Sequence, residues 1–115
     1  MRRGDVYLVD LEPHRGAEAD KVRPAVVVSN DAANRVAQRT GRGVVTVVPV
    51  TTSTDRVYPF QVLLPAVECG LRQESKAQAE QVRTVAVQRL HRRVGTVPPE
   101  QMERLDEALR THLAL

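Results

Sequence analysis

The chain has almost no sulfur chemistry to offer. Its one cysteine, Cys69, cannot pair within the chain, and no second cysteine supplies the spacing of a metal site. Cys69 is therefore expected to be a small buried residue. Tryptophan is absent, and Tyr7, Tyr58 and Phe60 are the only aromatic residues. That scarcity counts against a base-stacking platform of the RNA-recognition or OB-fold kind, which needs several aromatics. No apolar run approaches the ~18 to 20 residues that span a bilayer, and "MRRGDVYLVDLEP" lacks the uninterrupted apolar stretch of a signal peptide. A soluble, cytoplasmic protein with no membrane association is the expectation. Glycine-rich phosphate loops and nucleophile elbows are missing too, which removes support from nucleotide-binding and hydrolase readings of those types. His14, His91 and His112 are scattered and share no local motif. They read as surface residues, with a two-histidine ribonuclease as the alternative, and no pair has familiar zinc spacing, so no metal and no cofactor is expected.

What is present is basic and β-branched. Of the 17 Lys and Arg residues only Lys21 and Lys76 are lysine, and the formal net charge is +3. Arginine's planar fork grips phosphate and stacks on bases, so the bias is compatible with nucleic acid or an acidic protein partner, although a GC-rich genome produces the same bias. The length of 115 residues fits one domain, 1–115, with a single core. No repeat, linker or low-complexity tract divides it.

"DVYLVDLEP" alternates apolar and polar residues up to Pro13, as a half-buried strand does. "PAVVVSN" and "GVVTVVPVTT" are β-branched runs too short for ordinary helices and read as core strands. Pro49 marks a bulge, an edge or a strand end there. "DAANRVAQRTGRG" is polar, ends in Gly41 and Gly43, and reads as a loop with room for one helical turn. "YPFQVLLP" is a further strand, and "SKAQAEQVRTV" either continues a sheet or begins a helix. In "PPEQMERLDEALRTHLAL", Met102, Leu105, Leu109 and Leu113 recur at helical spacing behind Pro98 and Pro99, which predicts an amphipathic helix packed on the sheet. Short strands followed by one long helix, without a βαβ rhythm, point to a small antiparallel barrel with helical additions.

Two groups of residues could meet a phosphate. Arg23 opens one predicted core strand, and Thr51, Thr52 and Ser53 close another. If those strands are neighbours, guanidinium and hydroxyls converge at one rim. The plainer local reading is that Arg23 pairs with Glu18 or Asp20 as a loop clasp while the threonines merely end a strand. "RLHRR", with Arg89, Arg92 and Arg93, either tracks a phosphate backbone or is a solvated face.

"RGDVYLVDLEP", "RPAVVVSN" and "VPVTT", in this order, resemble the MazF/PemK family of bacterial toxin endoribonucleases of type II toxin–antitoxin systems. "YPFQVLL", "AEQVRTV" and "VGTVPPEQMERLDEAL" extend the resemblance over nearly the whole chain. It implies a mainly β fold with α additions, an SH3-like antiparallel barrel of the CcdB/PemK kind with a C-terminal amphipathic helix, assembled as a homodimer. It implies metal-independent cleavage of single-stranded RNA (mRNA, with rRNA or tRNA as further candidates) at short motifs, leaving a 2′,3′-cyclic phosphate and a 5′-hydroxyl. It also implies a cognate antitoxin with an acidic, disordered tail. By position, Arg23 and Thr51 match the family's catalytic pair, and Glu18 matches an acidic residue of the first loop. Thr52, Ser53, Gln81, Arg15 and His14 are the implied RNA contacts. The rival within the fold is a gyrase inhibitor of the CcdB type, without nuclease activity. A third reading is a barrel that binds RNA and never cuts it.

Overall fold

β-Branched runs buried on both faces require a cover on each side of the sheet. The computed structural model describes residues 1–11 and 22–115 and supplies both covers. Strands β1 (Asp5–Asp10), β2 (Val22–Val27), β3 (Val44–Thr51), β4 (Gln61–Leu64), β5 (Ser75–Gln78), β6 (Arg83–Ala86) and β7 (Leu90–Thr96) form one antiparallel sheet. The neighbour order is β4-β5-β3-β2-β1-β7, with β6 also paired to β3. Val6, Val26, Val48 and Val50 turn to one face, where they meet Leu64 and the residues Leu105 and Ala108 of helix α3 (Pro99–Leu113). Val9, Ala25, Val27, Val45 and Val47 turn to the other, where Ala37 of helix α1 (Asp31–Thr40) covers them.

Helix α1 corrects the expectation of a loop over residues 31–43. Its polar composition hid ten helical residues whose ends carry recognisable signals. Asn30 caps the N-terminus by accepting the Ala33 N–H at 2.8 Å, Asp31 sits in the first turn, and Gly41 takes the left-handed conformation at the end. Asn34, fully buried, ties the helix to the strands by donating to the Ser29 carbonyl, while the Ser29 hydroxyl accepts the Thr46 N–H. The ambiguous "SKAQAEQVRTV" resolves into β5, a 3-10 turn at Ala79–Gln81, and β6. Helix α3 runs as the spacing predicts, except that Leu113 is 50% exposed and packs on nothing in the core. Leu109, one turn earlier, still packs against the core, and Ala108 beside it is fully buried.

Pro49 lies inside β3, opposite Ala25 of β2. The Thr46 carbonyl accepts from Val28 and Ser29 on the β2 side. By the alternation of the ladder, the missing N–H of Pro49 therefore points to the other side. There β6 ends its pairing at Val47 and β5 begins at Val50, so the proline occupies a local edge and no bond is lost.

The sheet is curled shut by a short helix, α2 (Ala66–Cys69), which packs on β7. The approach is backbone to backbone. A Cβ on Gly95 would stand 2.3 Å from the Cys69 carbonyl carbon and oxygen, and one on Gly70 would stand 1.8 Å from the Val94 carbonyl oxygen. Gly70 also needs its left-handed φ of 69° to end α2.

Cys69 is fully buried at this junction, as the sequence led us to expect. Burial, with the neighbouring Glu68 charge adding less, pushes its thiol from 9.0 up to about 11. The unfolded chain thus releases this proton at lower pH than the folded one. Its contribution to stability is complete below about pH 9 and is lost as pH rises through about 11. Alkylation by iodoacetamide at pH 8 is expected to be at least ~10-fold slower in native protein than in denaturant, measured by mass spectrometry against time.

Candidate functional site

The β2–β3 register brings the two candidate segments to the same rim. The pairs Val27 with Val47, Val26 with Val48 and Ala25 with Pro49 run toward the strand ends. Carried two residues further, this register sets Arg23 across from Thr51, and residues directly opposite share a face. Arg23 is exposed on β2, beside Val9 of β1, and among the described residues it makes no hydrogen bond or ion pair. Thr51 is half-buried, and its Oγ1 accepts the Ser53 N–H at 3.2 Å. That bond fixes the oxygen and leaves the hydroxyl hydrogen to donate outward. Thr52 and Ser53 follow, both exposed.

On the other face of the sheet from Arg23, beside Leu8, Val22 and Pro24, lies a cleft of ≈ 460 Å³ that Thr52, Arg72 and Arg92 also line. The closure of α2 on β7 builds it, since Gly70, Leu71 and Arg72 come from one side and Arg92 and Val94 from the other. Arg72 had no local signal in the sequence, because its neighbours are set by that non-local contact. The basic cluster "RLHRR" is divided by the strand it occupies. Arg92 reaches the cleft, Arg93 pairs with Asp5 at 3.2 Å, and Arg89 donates to the Asp10 carbonyl at 3.5 Å. Only Arg92 of the three is placed for an anion in the cleft.

Gln81 is exposed on the 3-10 turn between β5 and β6, which packs on β3. His91 on β7 and His112 on α3 are both exposed and stand on separate elements, as surface histidines do. His14, Arg15 and Glu18, together with Asp20 of the alternative clasp, lie outside the described residues.

Lys76 was not singled out by its sequence context, and its placement is unusual. It lies opposite Thr51 on β5, is 7% exposed, and donates from Nζ to the Arg56 carbonyl at 2.6 Å. The same ammonium stands 5.9 Å from the centroid of the Tyr58 ring, which stacks on Phe60 at 5.3 Å. A lysine this deep is identifiable only when its partners are known, because isolated lysines are normally solvated.

A small curled antiparallel sheet, with an arginine that has no partner among the described residues across from a hydroxyl and with two further arginines in a cleft on the other face, defines a barrel protein with anion-binding surfaces. The chain belongs to the PemK-like, MazF-like toxins of type II toxin–antitoxin systems, whose family pattern matches residues 2–113. It is 58% identical over 115 residues to the endoribonuclease MazF9 of Mycobacterium tuberculosis, covering 100% of this chain and 98% of that one. It is 35% identical to the endoribonuclease EndoA of Bacillus subtilis over 116 residues, covering 100% and 96%. A solved endoribonuclease from a mycobacterial species, in complex with its cognate antitoxin, superposes with a TM-score of 0.76 at 30% identity, covering 100% of this chain and 96% of that one.

Proposed function

We propose that this chain is an endoribonuclease toxin that cleaves single-stranded RNA without a metal at short sequence motifs. The observation that carries the reading is the exposed Arg23, without a partner among the described residues, which the β2–β3 register carried to the strand ends sets across from Thr51. The relatives named endoribonucleases over the full length of the chain support it.

The chemistry follows from the substrate. The 2′-hydroxyl oxygen of one nucleotide attacks its own 3′-phosphorus, the bond from phosphorus to the leaving 5′-oxygen breaks, and a 2′,3′-cyclic phosphate and a 5′-hydroxyl result. Because the nucleophile is part of the RNA, the protein has to align the attack and stabilise charge on the phosphorane. Arg23 supplies a bidentate cation for the two non-bridging phosphoryl oxygens, and the Thr51 hydroxyl donates to one of them. Arg72 and Arg92 hold a more distant phosphate of the RNA in their cleft, with Thr52, Ser53 and Gln81 as further RNA contacts. Arginine stays protonated at any working pH, so it is a poor proton carrier. Glu18 takes the 2′-proton in this reading, and water returns one to the leaving oxygen, while Arg15 and His14 contribute RNA contacts.

A single-turnover pH profile tests these roles. Thr51→Val, which keeps the shape and removes the donor, is expected to slow cleavage by ~10- to 100-fold at every pH. Glu18→Gln is expected to flatten the limb in which rate rises with pH. An unchanged profile for Glu18→Gln removes Glu18 as the base and leaves water.

The working unit in this reading is a cytoplasmic homodimer, and the inhibitory partner is an antitoxin whose acidic, disordered tail orders on the basic rim. The solved mycobacterial relative in complex with its cognate antitoxin supports such a partner.

A further inference from the structure

The segment from Thr52 to Phe60 joins β3 to β4 directly after the candidate catalytic threonine, and side chains from the sheet hold it at Arg56 and Tyr58. Lys76, opposite Thr51 on β5, donates to the Arg56 carbonyl at 2.6 Å and faces the Tyr58 ring. Gln61 accepts the Tyr58 N–H at 3.2 Å and donates to Glu80 Oε2 at 2.7 Å. Lys76 and Gln61 are both buried, at 7% and 8% exposure. Among the described residues no carboxylate comes within ion-pair distance of Lys76. Burying an ammonium without a carboxylate is costly, and a single carbonyl with a ring face is a sparse return for stability alone. What the arrangement does achieve is a fixed loop. Arg56 has its carbonyl pinned inward and its side chain exposed, Tyr58 is braced against Phe60, and both stand on the strand-end segment that follows Thr51.

We propose that Lys76 is a positioning residue: it locks the Thr52–Phe60 segment beside Thr51, and the locked segment, through Arg56 and the Tyr58 edge, contacts the nucleotide next to the scissile phosphate and sets part of the cleavage motif. The inference rests on the nuclease reading above for its functional half. Its structural half, the pin, is independent of activity. Pre-ordering the loop lowers the entropy lost on RNA binding, so losing the pin weakens binding more than chemistry.

The test compares wild type with Lys76→Met, which keeps the apolar stem and removes the donor, Lys76→Arg, which restores a donor, and Arg56→Ala, which leaves the pin intact. Hydrogen exchange without RNA reads the pin, with amides of residues 54–60 expected to exchange about tenfold faster in Lys76→Met. Single-turnover cleavage of a mixed-sequence RNA reads the function. Lys76→Met is expected to need about tenfold more protein for half-maximal rate, with a maximal rate within about threefold of wild type and a relaxed base preference at one flanking position. Lys76→Arg is expected to recover most of this, and Arg56→Ala to relax the same position with normal exchange. Unchanged exchange in Lys76→Met overturns the pin whatever the activity. Faster exchange with wild-type half-saturation and motif overturns the specificity role, as does a lost maximal rate at unchanged half-saturation. If Lys76→Met does not fold, Lys76→Arg and Arg56→Ala carry the decision: a wild-type motif in Arg56→Ala overturns the proposal. Wild type that never cuts, or Arg23→Ala that cuts equally well, refutes the nuclease reading and leaves the exchange result standing.

Discussion

Arg23→Ala is expected to slow RNA cleavage by ~10²- to 10³-fold, equivalent to about 3 to 4 kcal/mol of transition-state stabilisation. The thermal melt is expected to stay close to that of wild type. Both halves follow from its position. The guanidinium is exposed on β2 and makes no hydrogen bond or ion pair among the described residues, so its loss leaves no buried partner stranded. The same freedom makes it available to phosphoryl oxygens, and the phosphorane carries more charge than the starting diester, so the interaction strengthens as the reaction proceeds. Arg23→Lys is expected to fall between, because a point charge replaces a two-pronged donor. Binding of a cleavage-resistant RNA, with the 2′-hydroxyl removed at the cut site, separates the two contributions: affinity falls far less than rate if the contact belongs mainly to the transition state.

Gly95→Ala is expected to cost about 3 kcal/mol of stability and to lower the melting temperature by roughly 10 to 20 °C. The added Cβ would meet the Cys69 carbonyl carbon and oxygen at 2.3 Å and the Gly70 nitrogen at 2.6 Å. These are backbone atoms, so no rotamer change relieves the contact, and either α2 or β7 has to move. That movement separates Arg72 from Arg92 across the cleft, so RNA affinity at moderate salt is expected to fall as well. Urea titration of wild type and variant measures the stability change. A difference below about 0.5 kcal/mol, the range of ordinary surface substitutions, contradicts the closure of the sheet by α2 on β7.

The strands were readable because Val26, Val47 and Val48 belong to continuous β-branched runs, and such runs need cover on both faces. Helix α1 was misread because Ala37 is its only buried apolar residue, so no apolar stripe emerges from "DAANRVAQRT". Its only local signals are the caps, Asn30 and Gly41. In α3 the apolar spacing predicts the helix through Leu113, but Leu113 itself is left half exposed. For the site, local pattern made a loop clasp of Arg23 the plainer reading, and only the resemblance of "RPAVVVSN" and "VPVTT" to a toxin family joined Arg23 to Thr51. The β2–β3 register supplies the physical reason that such distant segments belong together. Arg72 and Lys76 could not be found this way, because each owes its environment to segments brought close by folding, α2 on β7 in one case and the Arg56–Tyr58 loop on β5 in the other.

The decisive experiment incubates purified wild-type protein and Arg23→Ala with a mixed-sequence RNA in EDTA, mapping fragment ends and their phosphate chemistry. Cuts at a recurring motif with 2′,3′-cyclic phosphate and 5′-hydroxyl ends, suppressed at least ~10²-fold in Arg23→Ala, are the predicted result. Intact RNA with folded wild-type protein, or equal cutting by Arg23→Ala, would contradict the assignment of the β2–β3 rim as a nuclease site and turn attention to a gyrase-binding or purely RNA-binding barrel.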